Sequence, residues 1–240
     1  MDENLIQVNK FVSSSGYCSR READKLIEQG RVLINERVAK LTDKVKPSDN
    51  VFVDFEKIKR TLSNQCVYIA YNKPTGITTT TDTKDKTNII SYLNYPKRIF
   101  PIGRLDKDSE GLILLTNDGD IVNKILRAEN NHEKEYIVVV NKSINETFLK
   151  TMSQGVEILG TTTLACKLKQ LSSKKFSIIL KQGLNRQIRR MCETLGYEVQ
   201  SLTRVRIMNI ELGKLPIAKW RHLTESELEK LQSLLLTSRK

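Results

Sequence analysis

Short apolar segments bounded by turn-forming residues constrain the fold of this chain more than any other feature. Residues 67–71, 112–115 and 136–140 are rich in aliphatic or aromatic side chains and are typical of strands, and glycine, proline or charged residues border them. No apolar run approaches the ~20 residues that a membrane-spanning helix needs. With 39% hydrophobic and 28% charged residues, the sequence predicts a globular α+β protein and excludes fibrous or disordered chains.

The length and the cysteines limit the domain number and the cellular compartment. A chain of 240 residues allows one large domain, or a small domain followed by a medium one. The four cysteines are far apart, which favours reduced structural thiols over disulfides or a zinc site. The N-terminus lacks the basic start of a signal peptide, so we expect a cytoplasmic protein.

Positive charge is concentrated in one part of the chain. The 40 Lys+Arg and 28 Asp+Glu give a net charge of +12. Residues 164–223 hold 13 basic and three acidic residues, whereas residues 61–163 hold 12 of each. This excess indicates a polyanionic partner, and charge alone leaves nucleic acid and an anionic membrane surface as alternatives.

Residues 19–34 have the pattern of a short capped helix followed by a strand. Ser19 and Glu22 form an S-x-x-E capping box, and Gly30 can supply a left-handed stop. Val32 with Ile34, and further along Val51 with Val53, recur at every second position beside turn-forming residues, which predicts short strands. Residues 55–65 lack a clear apolar periodicity, so we interpret them as a linker.

This first segment resembles an S4 RNA-binding domain of the α-L type, through residues 16–24, 26–27, 30–32 and 34–35. The resemblance implies an S4 domain at residues 1–54. Four basic residues would then lie on the face that contacts structured RNA: Arg20, Arg21, Lys25 and Arg31. Each alone would be interpreted as a solvated surface charge, but four within twelve residues favour RNA contact.

The segment at 103–111 combines glycines with three carboxylates. Asp106, Asp108 and Glu110 imitate the start of a calcium-binding loop, but the twelfth position, which needs a bidentate glutamate, is Asn117. The chain also lacks the glycine motifs of nucleotide-binding loops. We therefore expect neither a metal ion nor a cofactor.

Four motifs resemble, in order, those of the RsuA/Rlu branch of the pseudouridine synthases. They are Asn-Lys-Pro-Thr-Gly at 72–76, Gly-Arg-Leu-Asp at 103–106, Lys-Glu-Tyr at 134–136 and Asn-Arg-Gln-Ile-Arg-Arg-Met at 185–191. That branch commonly carries an S4 domain in front, and residues 131–136 and 183–191 are most similar to its RluF-type enzymes of large-subunit ribosomal RNA. The resemblance implies a catalytic domain at residues 66–240, with a mixed, mostly antiparallel sheet and flanking helices.

The reaction that this resemblance implies is the isomerisation of uridine to pseudouridine in ribosomal RNA, which needs no cofactor. Asp106 would be the catalytic aspartate and would either attack C1′ or take the C2′ proton; an aspartate is already ionised at neutral pH. Arg189 would pair with this carboxylate. Tyr136 would stack on the uracil, and Arg104 would occupy the space left by the flipped uridine.

Residues 185–195 predict a helix with an apolar stripe and a ridge of positive charge formed by Arg186, Arg189 and Arg190. We interpret Arg186 and Arg190 as phosphate contacts. Lys73 is either another phosphate contact or a structural partner near the pocket. Capping boxes at 143–146 and 224–227 predict two further helices.

The alternative function is that of a non-catalytic S4-type RNA-binding or ribosome-assembly factor. Binding alone would not require a carboxylate that faces an anionic ligand, so the Gly-Arg-Leu-Asp motif favours the enzyme. An S4-bearing RNA methyltransferase would need a glycine-rich cofactor loop, which the sequence lacks. We expect a monomer that acts on ribosomal RNA, chiefly of the large subunit, with tRNA as a candidate second substrate and no membrane partner.

Overall fold

The computed structural model describes residues 5–59, 66–127 and 130–236. These residues belong to two compact units. The first extends to Val67 and includes Pro96–Arg98 and Asn117–Gly119, and the second comprises the rest. Within the described ranges, every helix is too short or too polar to cross a lipid bilayer.

The N-terminal unit packs two helices against a small antiparallel sheet. Its elements are β1 (Ile6–Gln7), α1 (Val8–Ser14), α2 (Arg20–Glu28), β2 (Val32–Ile34), β3 (Arg37–Val38), β4 (Lys44–Val45), β5 (Val51–Val53) and β6 (Glu56–Ile58). The sheet order is β3-β2-β5-β6, and β1 pairs separately with β4. The predicted capping box is present, because the Ser19 hydroxyl accepts from the Glu22 amide and the Glu22 carboxylate accepts from the Ser19 amide.

The linker predicted at 55–65 begins later than the sequence indicated. Residues Glu56–Ile58 form β6, which pairs with β5 so that Val53 lies opposite Glu56. Asp54 and Phe55 have φ values of 49° and 67°, as a two-residue hairpin turn requires. The strand is polar and largely exposed, so it carries no apolar alternation that would reveal it. Residues 60–65 of the predicted linker lie outside the described ranges.

The chain from Tyr68 onward builds a large sheet with helices on it. Its elements are β7 (Tyr68–Lys73), α3 (Ile89–Leu93), β8 (Phe100–Ile102), β9 (Glu110–Thr116), α4 (Gly119–Leu126), β10 (Lys134–Val140), α5 (Glu146–Gln154), β11 (Glu157–Ile158), β12 (Thr161–Thr162), β13 (Lys167–Ser172), β14 (Lys175–Leu180), α6 (Gln187–Thr194), β15 (Val199–Ile207), β16 (Ile210–Glu211), β17 (Trp220–His222) and α7 (Glu225–Leu235).

The sheet order is β13-β14-β10-β15-β9-β7-β17, with β8 beside β9 and β16 beside β15. Its described pairs are antiparallel except β9 with β15, which is parallel. The expected mixed, mostly antiparallel sheet is therefore confirmed. One buried cluster joins α5 and α6 to β10 and β14, and includes Phe148 and Phe176 with ring centroids 5.5 Å apart. A second joins α4 and α7 to β9.

One of the two predicted helix caps in this part of the chain is correct. Thr224 and Glu227 form a reciprocal capping box at the start of α7. The box predicted from Ser143 is wrong, because α5 is capped by Asn145, whose side-chain oxygen accepts from the Phe148 amide at 2.8 Å. Asparagine caps a helix as well as serine does, and here it lies next to the first helical residue.

Strands β9 and β15 approach each other closely at Gly111. Gly111 pairs with Arg204 in the parallel ladder and has a φ of 105°. A Cβ added at this position would lie 2.3 Å from the Arg204 carbonyl oxygen. Glycine is therefore required here by both the backbone conformation and the space.

We expect Gly111→Ala to lower the free energy of unfolding by about 3 kcal/mol or more, because backbone overlap adds to the strain of a positive φ. Gly160→Ala is the matched control, since Gly160 has a φ of 72° with open space around its Cβ position. It should cost about 1–2 kcal/mol from the backbone alone. Urea unfolding of both variants measures the difference, and equal losses would contradict the close approach.

Candidate active site

The loop at 103–109 connects β8 to β9 and carries Asp106. The Thr79 hydroxyl donates to the Leu105 carbonyl at 2.8 Å and accepts from the Leu105 amide at 3.2 Å. The Gly76 amide donates to the Lys107 carbonyl at 2.7 Å. Both chain neighbours of Asp106 are thus fixed by the segment that follows β7. The position of the carboxylate is set by the backbone around it.

Two arginines hold the next part of the loop at Asp108. Arg186 donates through both terminal nitrogens to the two carboxylate oxygens of Asp108, each at 3.0 Å. Arg189 donates to the Asp108 carbonyl at 2.9 Å, and its Nε lies 3.3 Å from the carboxylate. The hydrogen bonds from Arg186, with the nearby charge of Arg189, hold the pKa of the Asp108 carboxyl below its usual range. Bidentate contacts of this kind fix direction as well as distance.

The pairing of Arg189 with Asp106 that the resemblance implied is absent among the described residues. Arg189 contacts Asp108 instead, and Arg186 Nη1 is the cation nearest to the Asp106 carboxylate, at 3.9 Å. The helix predicted at 185–195 begins only at Gln187, and Arg186 precedes it with a φ of 49°. This left-handed residue turns the Arg186 side chain toward the loop, beside that of Arg189.

The predicted ridge formed by Arg186, Arg189 and Arg190 is therefore wrong as a continuous outer surface. Arg189 is only 8% exposed and also donates to the Val199 carbonyl at 3.3 Å. Arg190 lies nearer to solvent and donates to Asn185. The guanidinium groups of Arg186 and Arg189 converge on Asp108 in the loop, and that of Arg190 is directed to Asn185 instead.

A cavity of about 610 Å³ borders Asp106. Its wall includes aliphatic side chains of the sheet and of α4, together with Tyr136. Asp106 is the one carboxylate among the described residues that line it, and the cations there are Arg104, Lys134, Lys181, Arg186 and Arg204. Apolar walls with a few convergent polar groups are typical of sites for small molecules or single nucleotides.

A second cavity, of about 620 Å³, shares its lining from Arg104 to Asp106 with the first. It adds the hydroxyl side chains of Thr75, Thr78 and Thr79. Arg104 is exposed and borders both cavities. Asp106 therefore lies where two adjoining spaces meet, which leaves room for more than one nucleotide around the carboxylate.

Tyr136 lies on β10 and is partly buried in the wall of the first cavity. Its partner in the register of β15 is Arg204. The Arg204 guanidinium carbon is 6.0 Å from the centre of the Tyr136 ring, at the outer limit of a cation–π contact. The ring and the guanidinium thus form one side of the cavity.

Arg204 is the site residue that sequence reasoning missed. It is 3% exposed, and it donates through Nε to the Leu112 carbonyl at 2.7 Å and through Nη1 to the Arg104 carbonyl at 3.4 Å. Its buried Nη2 has no hydrogen-bond partner within the described part of the chain. The alternation along β15 could have indicated its burial, because Arg204 lies two residues after the buried Leu202 and so on the same face of the strand.

Lys73 is not available to RNA. It is completely buried, and its ammonium donates to the Pro74 and Ile77 carbonyls at 2.8 and 2.9 Å. Burial lowers the pKa of Lys73 to about 8. The geometry therefore supports a structural role for Lys73. Its hydrogen bonds close the turn after β7, and this turn places Gly76 and Thr79 against the loop at 103–109.

The four basic residues of the N-terminal unit divide into two groups. Three are exposed on or at the start of α2: Arg20, Arg21 and Lys25. Arg31 instead donates to both carboxylate oxygens of Asp54 at 2.7 and 2.6 Å, and the Tyr17 hydroxyl donates to the same carboxylate. The guanidinium of Arg31 is already occupied, so the prediction of an RNA contact at this position is not supported by its geometry.

Comparisons with known proteins agree with this arrangement of domains. Residues 67–194 match the RNA pseudouridylate synthase family and residues 8–51 match the S4 domain. The dual-specificity RNA pseudouridine synthase RluF of Escherichia coli (strain K12) is 53% identical, over 99% of this chain and 82% of its own. The ribosomal large subunit pseudouridine synthase B of Bacillus subtilis (strain 168) is 35% identical, over 95% and 96%.

A crystal structure of a pseudouridylate synthase superposes with a TM-score of 0.69 at 28% identity, covering 94% of this chain and 99% of its own. The likeness thus extends over both the N-terminal unit and the large sheet. Because the family match takes in more than half of the residues and a relative at 53% identity spans nearly all of them, the chain belongs to the RNA pseudouridine synthases, with an S4 domain at its N-terminus.

Proposed function

We propose that the protein converts uridine to pseudouridine at a defined position of ribosomal RNA, with Asp106 as the catalytic carboxylate. The observation that carries this proposal is the placement of Asp106 as the one carboxylate, among the described residues, in a cavity whose wall combines aliphatic side chains with cations. Its chain neighbours are anchored by hydrogen bonds on both sides.

The reaction breaks the bond between N1 and C1′, turns the uracil, joins C5 to C1′ and releases the C5 proton. Asp106 either attacks C1′ or takes the C2′ proton, and both routes require an ionised carboxylate at a fixed place. The anchored loop meets this requirement without engaging the carboxylate itself in a short ion pair, since Arg186 lies 3.9 Å away. The oxygens of Asp106 therefore remain available to the ribose.

Tyr136 and Arg104 take the roles of holding the base and replacing it in the RNA. The Tyr136 ring lies in the cavity wall, where it can stack on an extruded uracil. A base cannot be turned over inside a helical stack, so the target uridine must first be flipped out. Arg104 is exposed at the boundary of both cavities, which suits a side chain that enters the vacated space.

The RNA-binding surface that we propose includes Arg20, Arg21 and Lys25 of α2 and Arg190 beside α6. The guanidinium groups of Arg186 and Arg189 are committed to Asp108, so we assign them to positioning of the loop. We place the boundary of the S4 domain after β6, with the linker and the catalytic domain following it.

The names of the relatives bear on the substrate. One specifies the ribosomal large subunit and another specifies dual specificity, which supports large-subunit ribosomal RNA as substrate with tRNA as a second candidate. We also propose that the protein is a monomer with a cytoplasmic location. The non-catalytic alternative is disfavoured because every curated relative named above is called a synthase.

Asp106→Asn should abolish pseudouridine formation, lowering kcat by about 10⁴-fold or more, while RNA affinity is largely retained. The amide has the same size as the carboxylate but is neither a nucleophile nor a base at neutral pH. Pseudouridine mapping of ribosomal RNA from cells without the gene, complemented with the wild type or the variant, checks the result. Full modification by the variant would overturn the assignment of Asp106.

Asp108→Asn and Arg189→Gln test the loop anchor. Each should lower kcat with little change in RNA affinity, and the double variant should lose little more than either single variant. We expect a coupling free energy of about 1–3 kcal/mol, measured by single-turnover kinetics. Additive losses would indicate that Arg189 acts on Asp106 independently of Asp108.

A double charge reversal, Arg20→Glu with Arg21→Glu, should weaken RNA binding and reduce the slope of log affinity against log salt concentration. Arg31→Gln should leave RNA affinity nearly unchanged and lower the thermal stability of the N-terminal unit, because it removes the contact with Asp54. Equal effects of the two changes on RNA affinity would contradict the division between exposed and occupied cations.

A further inference from the structure

Lys134 lies in the wall of the Asp106 cavity with no role in the mechanism described so far. It is the first residue of β10 and borders the same cavity as Tyr136, two residues further along the strand. On the adjacent strands its partners are Leu180 and Ile207, both buried aliphatic residues of that wall. A primary ammonium thus interrupts an apolar surface, where an unpaired charge is costly.

Among the residues that the structure describes, the Lys134 ammonium has no carboxylate partner. Its hydrogen bond is a long one, 3.5 Å to the His132 carbonyl, and none of the ion pairs among the described residues includes it. The neighbouring Glu133 and Glu135 are engaged by Arg206. Burial, followed by the charge of Arg204, lowers the pKa of Lys134 to about 8.

The charged groups around the same cavity leave Lys134 without compensation. They are Arg204 on β15, Arg104 and Asp106 in the loop, Lys181 after β14 and Arg186 before α6. Asp106 is the one anion among them, and it forms no ion pair with Lys134 in the described part of the chain. The cavity therefore holds a carboxylate and a separate cation, both free to meet a substrate that lies in it.

The reaction itself generates the missing anion. When the bond between N1 and C1′ breaks, its electron pair stays with the uracil, and conjugation spreads the negative charge over N1 and the two carbonyl oxygens. A cationic donor in a water-poor cavity stabilises such charge more in the transition state than in the bound substrate. Lys134, whose ammonium lies in the cavity wall with no carboxylate partner among the described residues, meets this need.

We propose that Lys134 is a further catalytic residue, whose ammonium donates a hydrogen bond to a carbonyl oxygen of the departing uracil. The electron pair then forms the new bond from C5 to C1′, C5 releases its proton and N1 gains one. Lys134 keeps its three protons throughout, so the reaction remains an isomerisation. This inference rests on the proposed synthesis of pseudouridine at Asp106.

Removal of the charge with little change in length tests the role. Lys134→Met should lower kcat at saturating RNA by roughly 100-fold, the loss typical of one donor to a developing anion, with little change in KM. Lys134→Arg should recover most of the activity because it retains a cationic donor. Lys175→Met is the matched control, since Lys175 is exposed at the opposite end of the same β10–β14 strand pair, and it should retain wild-type kcat.

Modified substrates test the contact itself. RNA with 2-thiouridine or 4-thiouridine at the target position replaces one carbonyl oxygen by sulfur, a weaker acceptor. One of the two should slow the wild type and cause no additional loss in Lys134→Met, because the contact is already missing there. A lysine that merely supports the fold would give additive losses with both substrates.

The other possible results of these assays also decide for or against the role of Lys134. An effect confined to KM would indicate a phosphate contact and overturn the inference, as would a loss of thermal stability with kcat unchanged. Parallel assays of the wild type and Asp106→Asn separate the two proposals. An inactive wild type contradicts the proposed function, whereas an active wild type matched by Lys134→Met contradicts the role of Lys134 alone.

Discussion

The anchoring of the loop between β8 and β9 is the constraint on which the rest of the site depends. Ordering each residue of a loop costs about 1–2 kcal/mol of backbone entropy, so a connection with a glycine at its start would otherwise be mobile. Contacts at four loop residues offset that cost: Arg204 binds the Arg104 carbonyl, Thr79 binds Leu105, Gly76 binds Lys107, and both Arg186 and Arg189 bind Asp108. Every contact is made by a neighbour of Asp106, and the carboxylate stays free to react.

The positive charge of residues 164–223 serves the interior as well as the surface. Arg186, Arg189 and Arg204 are directed at the loop and the cavity, and Arg206 binds Glu133 and Glu135. A site that holds a catalytic carboxylate and must admit an anionic polymer needs cations close to both, and this segment provides them. The net charge of the segment therefore overstates the number of side chains that are available to phosphates.

Features that depend on neighbours in sequence could be predicted, and features that depend on distant strands could not. The capping boxes of α2 and α7 follow from residues three positions apart. The contact of Arg186 with Asp108 involves a left-handed backbone at Arg186, which no local pattern of charges indicates. The burial of Lys73 likewise depends on carbonyls that become available only when the turn after β7 forms. A charged residue at a position where the strand alternation predicts burial, such as Arg204, indicates a candidate site residue from the sequence alone.

The parallel pairing of β9 with β15 has a consequence for the time at which the protein acquires its activity. It joins Glu110 to Thr203 and Gly111 to Arg204. These residues are far apart in sequence, so they emerge from the ribosome at different times during translation. Contacts of such long sequence separation form late, because a large loop must close first. A nascent chain that ends before Arg186 carries Asp106 with neither guanidinium clamp in place. Catalytic competence therefore arises only after residues 186–204 have been synthesised, and nascent chains that end before them are poor modifiers of the RNA around them.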